Sequence, residues 1–578
     1  MQHRRVPAAL LALALALSAA LGASATTFGG STATLSDTLA GWLGRAAPSD
    51  TFRTIVTFDD RAGMARIDTL GVGATKLRRL PIAFATLSAE QVRRVASWPE
   101  ARSLWHDQRN EPVLDESVPL IGADKVQAGT GLKRPYTGAG VAVAVIDTGV
   151  DSTHPDLPAA KTHAFQVAGD PFEREPMVVQ EGVTVDTYGH GTHVSSTIAG
   201  TGAASGGRYK GVAPGATIYS FKTDVGAVLL DSWILASFDW ILDHPEAGIK
   251  VSSNSWGCCD GSDYDPDDPV NLATKALYDA GITVAFAASN SGGPDTLNPY
   301  SASPWVISVA AGTKDRALAD FSSRGRIGGN WDRRAAQRSN SGVYRPTVTA
   351  PGQEIEAAKS AQATLMATGT DPENPFYTYA DGTSMATPHV AGTVALMLEA
   401  RPKLAPQHVI DILEGTADDM PAYEIWEVGM GYLDAYGAVV AAEKGKVTFP
   451  PAINGKTPQF TLTGSTPFSG TVASGTWLIA ECPDTSGLLS HHEFTVTSAD
   501  VVYAEIEWAD PNQLVYLRLY DPNCEVAAES AALLDIGSVN HRAVAVSNPA
   551  PGTWTVGVYG RINIPTDYTG NFQTYDKN

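Results

Sequence analysis

Cysteine is scarce in this chain, with four in 578 residues. That is too few for a disulfide framework to carry a fold of this size, and it suggests an oxidising compartment only loosely. Cys482 and Cys524 can pair. A bond between the adjacent Cys258 and Cys259 would be strained, so these two are expected as free, buried thiols. Four cysteines still leave three connectivities open on sequence alone. Basic residues are also in deficit: 41 Lys and Arg stand against 62 Asp and Glu, a formal charge of −21. This argues against a nucleic-acid partner or an anionic membrane surface, and for solubility. After residue 25 no stretch is long and apolar enough to read as a bilayer span. No internal repeat stands out, and no His-Glu-x-x-His segment of a zinc-binding helix occurs.

What is present begins with a leader. His3, Arg4 and Arg5 precede an Ala/Leu run from Val6 to Leu21, and Ala23-Ser24-Ala25 forms a small-residue cleavage site. Residues 1–25 read as a signal peptide, so the chain is expected to be secreted, with no membrane anchor. The remainder is globular in composition, 43% hydrophobic and 18% charged. Its length predicts two to four domains of roughly 100–200 residues each. Residues 51–108 read as a small α+β unit: strand candidates at 54–58 and 82–87 are followed by Ser88 and Gln91, spaced as a capping box before a helix carrying Val92 and Val95.

Three segments then carry side chains of catalytic type. Val141 to Ile146 is apolar without a break, as in a strand buried on both faces of a parallel sheet. Asp147-Thr148-Gly149 follows at its C-terminal end, where α/β sheets place their sites. Gly189-His190-Gly191-Thr192-His193-Val194 opens a helix through Ile198. Gly382-Thr383-Ser384 leads into an apolar helix in which Val390, Val394 and Met397 recur at helical spacing. A serine at a helix start gathers free N–H groups around it, and a hydroxyl there can attack a carbonyl while an N–H receives the oxyanion. Strand candidates at 216–222, 249–255, 282–288 and 305–311 alternate with helical segments near 228–243 and 268–280, the pattern of a parallel sheet covered by helices on both faces.

The run Gly-Thr-Ser-Met-Ala-Thr-Pro-His-Val-Ala-Gly at 382–392 resembles the nucleophile signature of the subtilisin-like serine proteases, without a mismatch over eleven residues. Asp147-Thr148-Gly149 and His190-Gly-Thr-His-Val resemble the family's other two motifs, in the family's order. Further landmarks are similar: Phe321-Ser-Ser-Arg-Gly, Ala350-Pro-Gly, and Gly429-Met-Gly-Tyr-Leu-Asp-Ala. The resemblance covers roughly 112–445 and implies a doubly wound, mostly parallel α/β sheet. It implies Ser384 as nucleophile, His190 as base and Asp147 as its orienting carboxylate, with His193 left to packing or capping. It further implies that Asn290, in Ala287-Ala-Ser-Asn, is the oxyanion donor. Ser255-Trp256-Gly257 would be the substrate-binding edge, with Trp256 and Ser289 lining the first pocket.

The family also implies that the α+β unit, within a pro-segment over 26–110, is an intramolecular inhibitor, and that the partners are protein or peptide substrates met by a monomer. No cofactor is required for catalysis. A structural calcium, which some relatives bind through the Asp of His154-Pro-Asp-Leu, is not predicted, because the loop Gly200 to Lys210 offers no carboxylate. The acidic loop Asp260 to Asp268 has five Asp and the oxygens to bind calcium, but reads as a solvated charge run. The catalytic part extends over 111–445. Beyond it the periodicity turns to two, at 502–508, 514–520 and 553–559, with recurrent Asn/Pro/Gly turns, so 446–578 is expected to be a β-sandwich; it resembles the jelly-roll domains that trail many exported bacterial proteases. A boundary there predicts that the catalytic part folds without the sandwich. The rival is a non-enzymatic surface-binding protein on a protease fold. It would be expected to have lost a triad member or the oxyanion donor, and none is lost. An aspartic protease would need a second Asp-[Thr/Ser]-Gly segment, and only Asp147 supplies one.

Overall fold

The computed structural model describes residues 46–76, 81–106, 114–169, 177–182, 185–226, 228–258, 260–364, 374–445, 460–472, 490–509, 513–530, 541–561 and 565–577, with a few short pieces between them (25–26, 33–36, 39, 43, 366 and 370–371). The expected leader (but for Ala25), Cys259 and Cys482 lie outside the described residues. The chain divides into two compact units, 1–111 and 112–578.

In the first unit a six-stranded sheet is built around Thr51–Phe58, which pairs antiparallel with both Ile82–Ser88 and Ala101–His106. The capping box is present: Gln91 N donates to Ser88 Oγ at 3.2 Å and Ser88 N to Gln91 Oε1 at 2.9 Å. The helix it opens, Ala89–Ala96, sets Val92 and Val95 into a core with Val56, Leu87 and Leu104.

The second unit is organised by an eight-stranded sheet. Its spatial order is Val348–Pro351, Ile307–Gly312, Thr283–Ala287, Ile249–Asn254, Ala142–Asp147, Thr217–Lys222, Thr162–Ala168 and Val178–Glu181. All neighbours are parallel except the last pair. The unbroken apolar run at 142–146 is explained by its two covers. Val143 and Val145 face helices His190–Ala199 and Thr383–Ala400 through Val194, Ile198, Val390 and Val394. Ala142, Ala144 and Ile146 face helices Asp231–Asp243 and Pro269–Asp279 through Ile234, Phe238 and Leu277. Successive residues therefore bury in opposite layers, as the period of a strand requires. From Ala142–Asp147 the chain first builds outward on one side, then returns to add Ile249–Asn254 on the other. That reversal opens a crevice at the C-terminal ends of these two neighbouring strands.

Beyond residue 445 two antiparallel four-stranded sheets face each other. Val502, Ala504 and Ile506 of one interdigitate with Val515, Leu517 and Val556 of the other. They are not independent of the rest of the unit. Ile327, Trp331 and Trp426 pack with Val501, Tyr503, Ala543 and Ala545 in one buried cluster. Cys524 is disulfide-bonded. Cys258 keeps a thiol that donates to Tyr300 Oη at 3.4 Å, but the residue is exposed and not buried as expected, because the chain emerges onto the surface at Gly257 after the buried strand ends. No helix among the described residues is long and apolar enough to cross a membrane.

Candidate active site

Asp147 ends its strand inside the protein, 1% exposed. Its Oδ1 accepts hydrogen bonds from Thr148 N at 2.8 Å and from His190 Nδ1 at 2.7 Å. A carboxylate has no proton to give, so Nδ1 carries the hydrogen and the neutral imidazole keeps its lone pair on Nε2. Burial works against a charged imidazole, yet the charge and hydrogen bond of Asp147, with the charge of Asp186, hold the His190 pKa above its ordinary value. Asp147 Oδ2 has no hydrogen-bond partner among the described residues.

His190 is held by a carboxylate that sequence reasoning passed over. Asp186 Oδ1 accepts from Gly189 N at 2.7 Å and Thr148 Oγ1 at 2.9 Å, and Oδ2 accepts from Thr192 N at 2.8 Å and Thr192 Oγ1 at 2.6 Å. It thus satisfies first-turn donors of the His190–Ala199 helix and ties them to the Asp147 strand end. Thr148 Oγ1 in turn accepts from Gly191 N at 2.9 Å. A Cβ at Gly191 would meet Gly149 O at 2.2 Å, so only glycine allows this approach. An acid within four residues of a helix start was the available signal for Asp186. His193 is fully buried, its Nε2 3.0 Å from Ile355 O, and burial pushes its pKa down to about 3. It is a neutral packing residue.

Ser384 is the second residue of helix Thr383–Ala400, where first-turn amides lack intrahelical acceptors. Its hydroxyl donates to Ser255 O at 2.8 Å, and Ser255 Oγ returns a bond to Ser384 O at 2.9 Å. The nucleophile candidate and the substrate-edge candidate are thereby locked together in this state. Asn290 Oδ1 accepts from Thr383 N at 2.8 Å and Thr383 Oγ1 at 3.0 Å. Two donors on one amide atom fix its orientation, which turns Nδ2 towards the Gly382–Ser384 backbone. A Cβ on Gly382 would stand 3.6 Å from that nitrogen.

Trp256 lays its indole against Phe286 and Tyr300, with ring centroids at 4.9 and 5.8 Å. Gly257 runs exposed alongside Asn298, whose Nδ2 donates to Trp256 O at 2.9 Å and Ala287 O at 3.1 Å. Asn298 joins the ends of two strands and was invisible in the sequence. Ser289 has φ of +94° and donates to Asp260 at 2.6 Å. The acidic loop is thus tied in at Asp260, while Asp263, Asp265 and Asp267 are exposed, as expected of a solvated charge run. Asp263 pairs with Arg326 at 2.9 Å, and Asp268 caps helix Pro269–Asp279 through Val270 N at 2.8 Å. Asp156, the carboxylate of His154-Pro-Asp-Leu, is engaged within the protein. Asp156 spends its oxygens on Ala204 N at 2.9 Å and Tyr377 Oη at 2.8 Å, and among the described residues no cluster of three or more His, Cys, Asp or Glu side chains could hold a metal.

A parallel sheet with a buried Asp–His pair and a serine at the head of the central helix defines a serine hydrolase of the subtilisin kind. The subtilase family model matches residues 138–437, and the chain belongs to that family. It is a subtilisin-like serine protease. Serine protease AprX of Bacillus subtilis (strain 168) is 32% identical over 325 residues, 52% of this chain and 67% of that protein. Subtilisin NAT of Bacillus subtilis subsp. natto is 34% identical over 341 residues, 58% of this chain and 75% of that protein. Among solved structures, Sphericase aligns at 25% identity and a TM-score of 0.44, covering 54% of this chain and 96% of its own.

Proposed function

We propose that this protein is a secreted serine endopeptidase that works through an acyl-enzyme and is made as a self-processing zymogen. The observation that carries the reading is the His190 Nδ1–Asp147 Oδ1 bond of 2.7 Å, which leaves Nε2 as the free base. As a peptide docks along Ser255–Gly257, the Ser384 hydroxyl turns from Ser255 O to His190 Nε2. Its proton passes to Nε2 as Oγ bonds the scissile carbonyl carbon, and Asp147 stabilises the imidazolium. The oxyanion is received by Asn290 Nδ2 and Ser384 N–H. His190 then gives its proton to the leaving amine, and water repeats the cycle to free Ser384. Trp256 and Ser289 line the first pocket.

In this reading residues 1–25 are the signal peptide, 26–110 the pro-segment, 111–445 the catalytic domain and 446–578 the β-sandwich. The steps call on no cofactor and no structural calcium is assigned. The partners are protein substrates and the protein's own pro-segment, and the enzyme acts as a monomer. The test is phenylmethylsulfonyl fluoride with peptide mapping. Hydrolysis should cease with the adduct on Ser384, while chelators and pepstatin leave it intact. A folded chain that neither cleaves peptides nor takes the label would be a binding protein on a protease fold.

A further inference from the structure

Asn290 sits in a segment that is under strain and clamped. Ser289 holds φ of +94°, a backbone region that non-glycine residues adopt only when the surroundings enforce it. One clamp on the segment is a carboxylate oxygen. Asp260 Oδ2 accepts from Ser289 Oγ at 2.6 Å and from Ser291 Oγ at 2.5 Å, so a single carboxylate oxygen grips the residues on both sides of Asn290. The same segment is tied to its neighbour loop by Ser323 N to Ser289 O at 3.0 Å and Ser291 N to Ser323 Oγ at 3.1 Å. Its far end lies on the C-terminal sheet: a Cβ at Gly293 would stand 2.1 Å from Ala543 O.

We propose that Asp260 is a positioning residue for the oxyanion hole, which sets the Asn290 amide by holding Ser289 and Ser291. This rests on the reading of Asn290 as the oxyanion donor. Charge-assisted hydroxyl–carboxylate bonds are short and strong, which suits a clamp that must hold a donor to a fraction of an ångström. Burial raises the Asp260 pKa above the ordinary carboxylate value; the two serine bonds and the charge of Arg542, from the C-terminal strand His541–Ser547, favour the ionised form but only partly offset it. Asp260 touches no reacting atom. Its effect reaches the chemistry through the amide it sets.

The experiment measures kcat, KM and melting temperature for the mature enzyme and for Asp260→Ala, Asp260→Asn, Ser289→Ala/Ser291→Ala, Asn290→Ala and Asn290→Ala/Asp260→Ala on one neutral peptide substrate and one with a basic residue before the cut. Asp260→Ala should lower kcat by about 10–100-fold with little change in KM. Asp260→Asn, which keeps a neutral acceptor, should fall between it and wild type. In the Asn290→Ala background, removal of Asp260 should cost almost nothing more, because the donor it sets is gone. If Asp260→Ala does not fold, Asp260→Asn and the double serine variant carry the same comparison. Effects that multiply with Asn290→Ala would overturn the proposal. So would a loss confined to KM for the basic substrate, which would make Asp260 a pocket carboxylate. An Asn290→Ala enzyme with wild-type kcat would instead remove the oxyanion reading itself.

Discussion

His190 donates to Asp147 through Nδ1 at 2.7 Å although 43 residues separate them in the chain. The bond fixes the imidazole tautomer, and the buried charge behind it holds the pKa of His190 up. A base must be neutral to accept the Ser384 proton, so kcat/KM should rise with pH through the His190 pKa in the free enzyme. Asp147→Asn removes the charge that raises this pKa. The acid limb should move to lower pH, and the plateau should fall about 10⁴-fold, the scale known for such carboxylates in serine proteases including subtilisin. A pH–rate profile checks both, and an unmoved midpoint would show that Asp147 does not set the titration.

A second buried carboxylate governs stability. Glu414 lies between Arg345, at 2.8 Å, and Arg333, at 3.4 Å, all three nearly excluded from solvent. Burial pushes the Glu414 pKa up, and the two guanidinium charges outweigh it and hold it below the ordinary carboxylate range. A depressed pKa stabilises the fold above the unfolded value and loses that contribution as pH falls through the folded one. Glu414→Gln leaves two buried cations without a counter-charge and should cost about 3–5 kcal/mol at neutral pH. Denaturant unfolding of both proteins should show the gap narrowing below the ordinary carboxylate range. A constant gap would mean that lost packing, and not charge, causes it.

The parts of the fold that repeat locally were legible in the sequence. The unbroken run 142–146, the helix behind Ser384 and the Ser88–Gln91 box follow from strand and helix periods and cap spacing, and the structure forms each of them. Asp186, Asn298 and Asp260 were not legible in those roles, because what each does depends on groups brought close by the sheet topology. Asp260 reaches Ser289 across 29 residues, and in sequence it is one more aspartate in an acidic loop. The same holds for Arg333 and Arg345, which lie 81 and 69 residues from Glu414 and meet it only where the fold buries all three.

The C-terminal sandwich bears on the catalytic part more than its sequence texture implied. Trp426 is fully buried, and its cluster is completed by Val501, Tyr503, Ala543 and Ala545. Lys577 Nζ also reaches Glu424 Oε1 at 3.0 Å. A chain ending at residue 445 uncovers Ile327, Trp331 and Trp426, at about 1.5–3 kcal/mol for each large side chain returned to water. It should melt at a lower temperature than the full mature chain and self-associate through that face. A truncated protein that stays monomeric with an unchanged melting temperature would show that the cluster contributes nothing to the catalytic fold.

Maturation tests nucleophile and pro-segment together. If the enzyme removes its own pro-segment, the cut between His106 and Glu116 requires Ser384. Ser384→Ala should therefore accumulate as the precursor lacking only residues 1–25, while the wild type yields a mature chain beginning just after the cut. The substitution removes the 2.8 Å bond from Ser384 Oγ to Ser255 O, worth about 0.5–1.5 kcal/mol. That is too little to unfold a domain of this size, so a processing failure can be assigned to chemistry once the melting curve is seen to be cooperative. Mass spectrometry of purified proteins reads the termini directly. Processing of Ser384→Ala at the wild-type site, with no other protease present, would show that the cut is made without this serine.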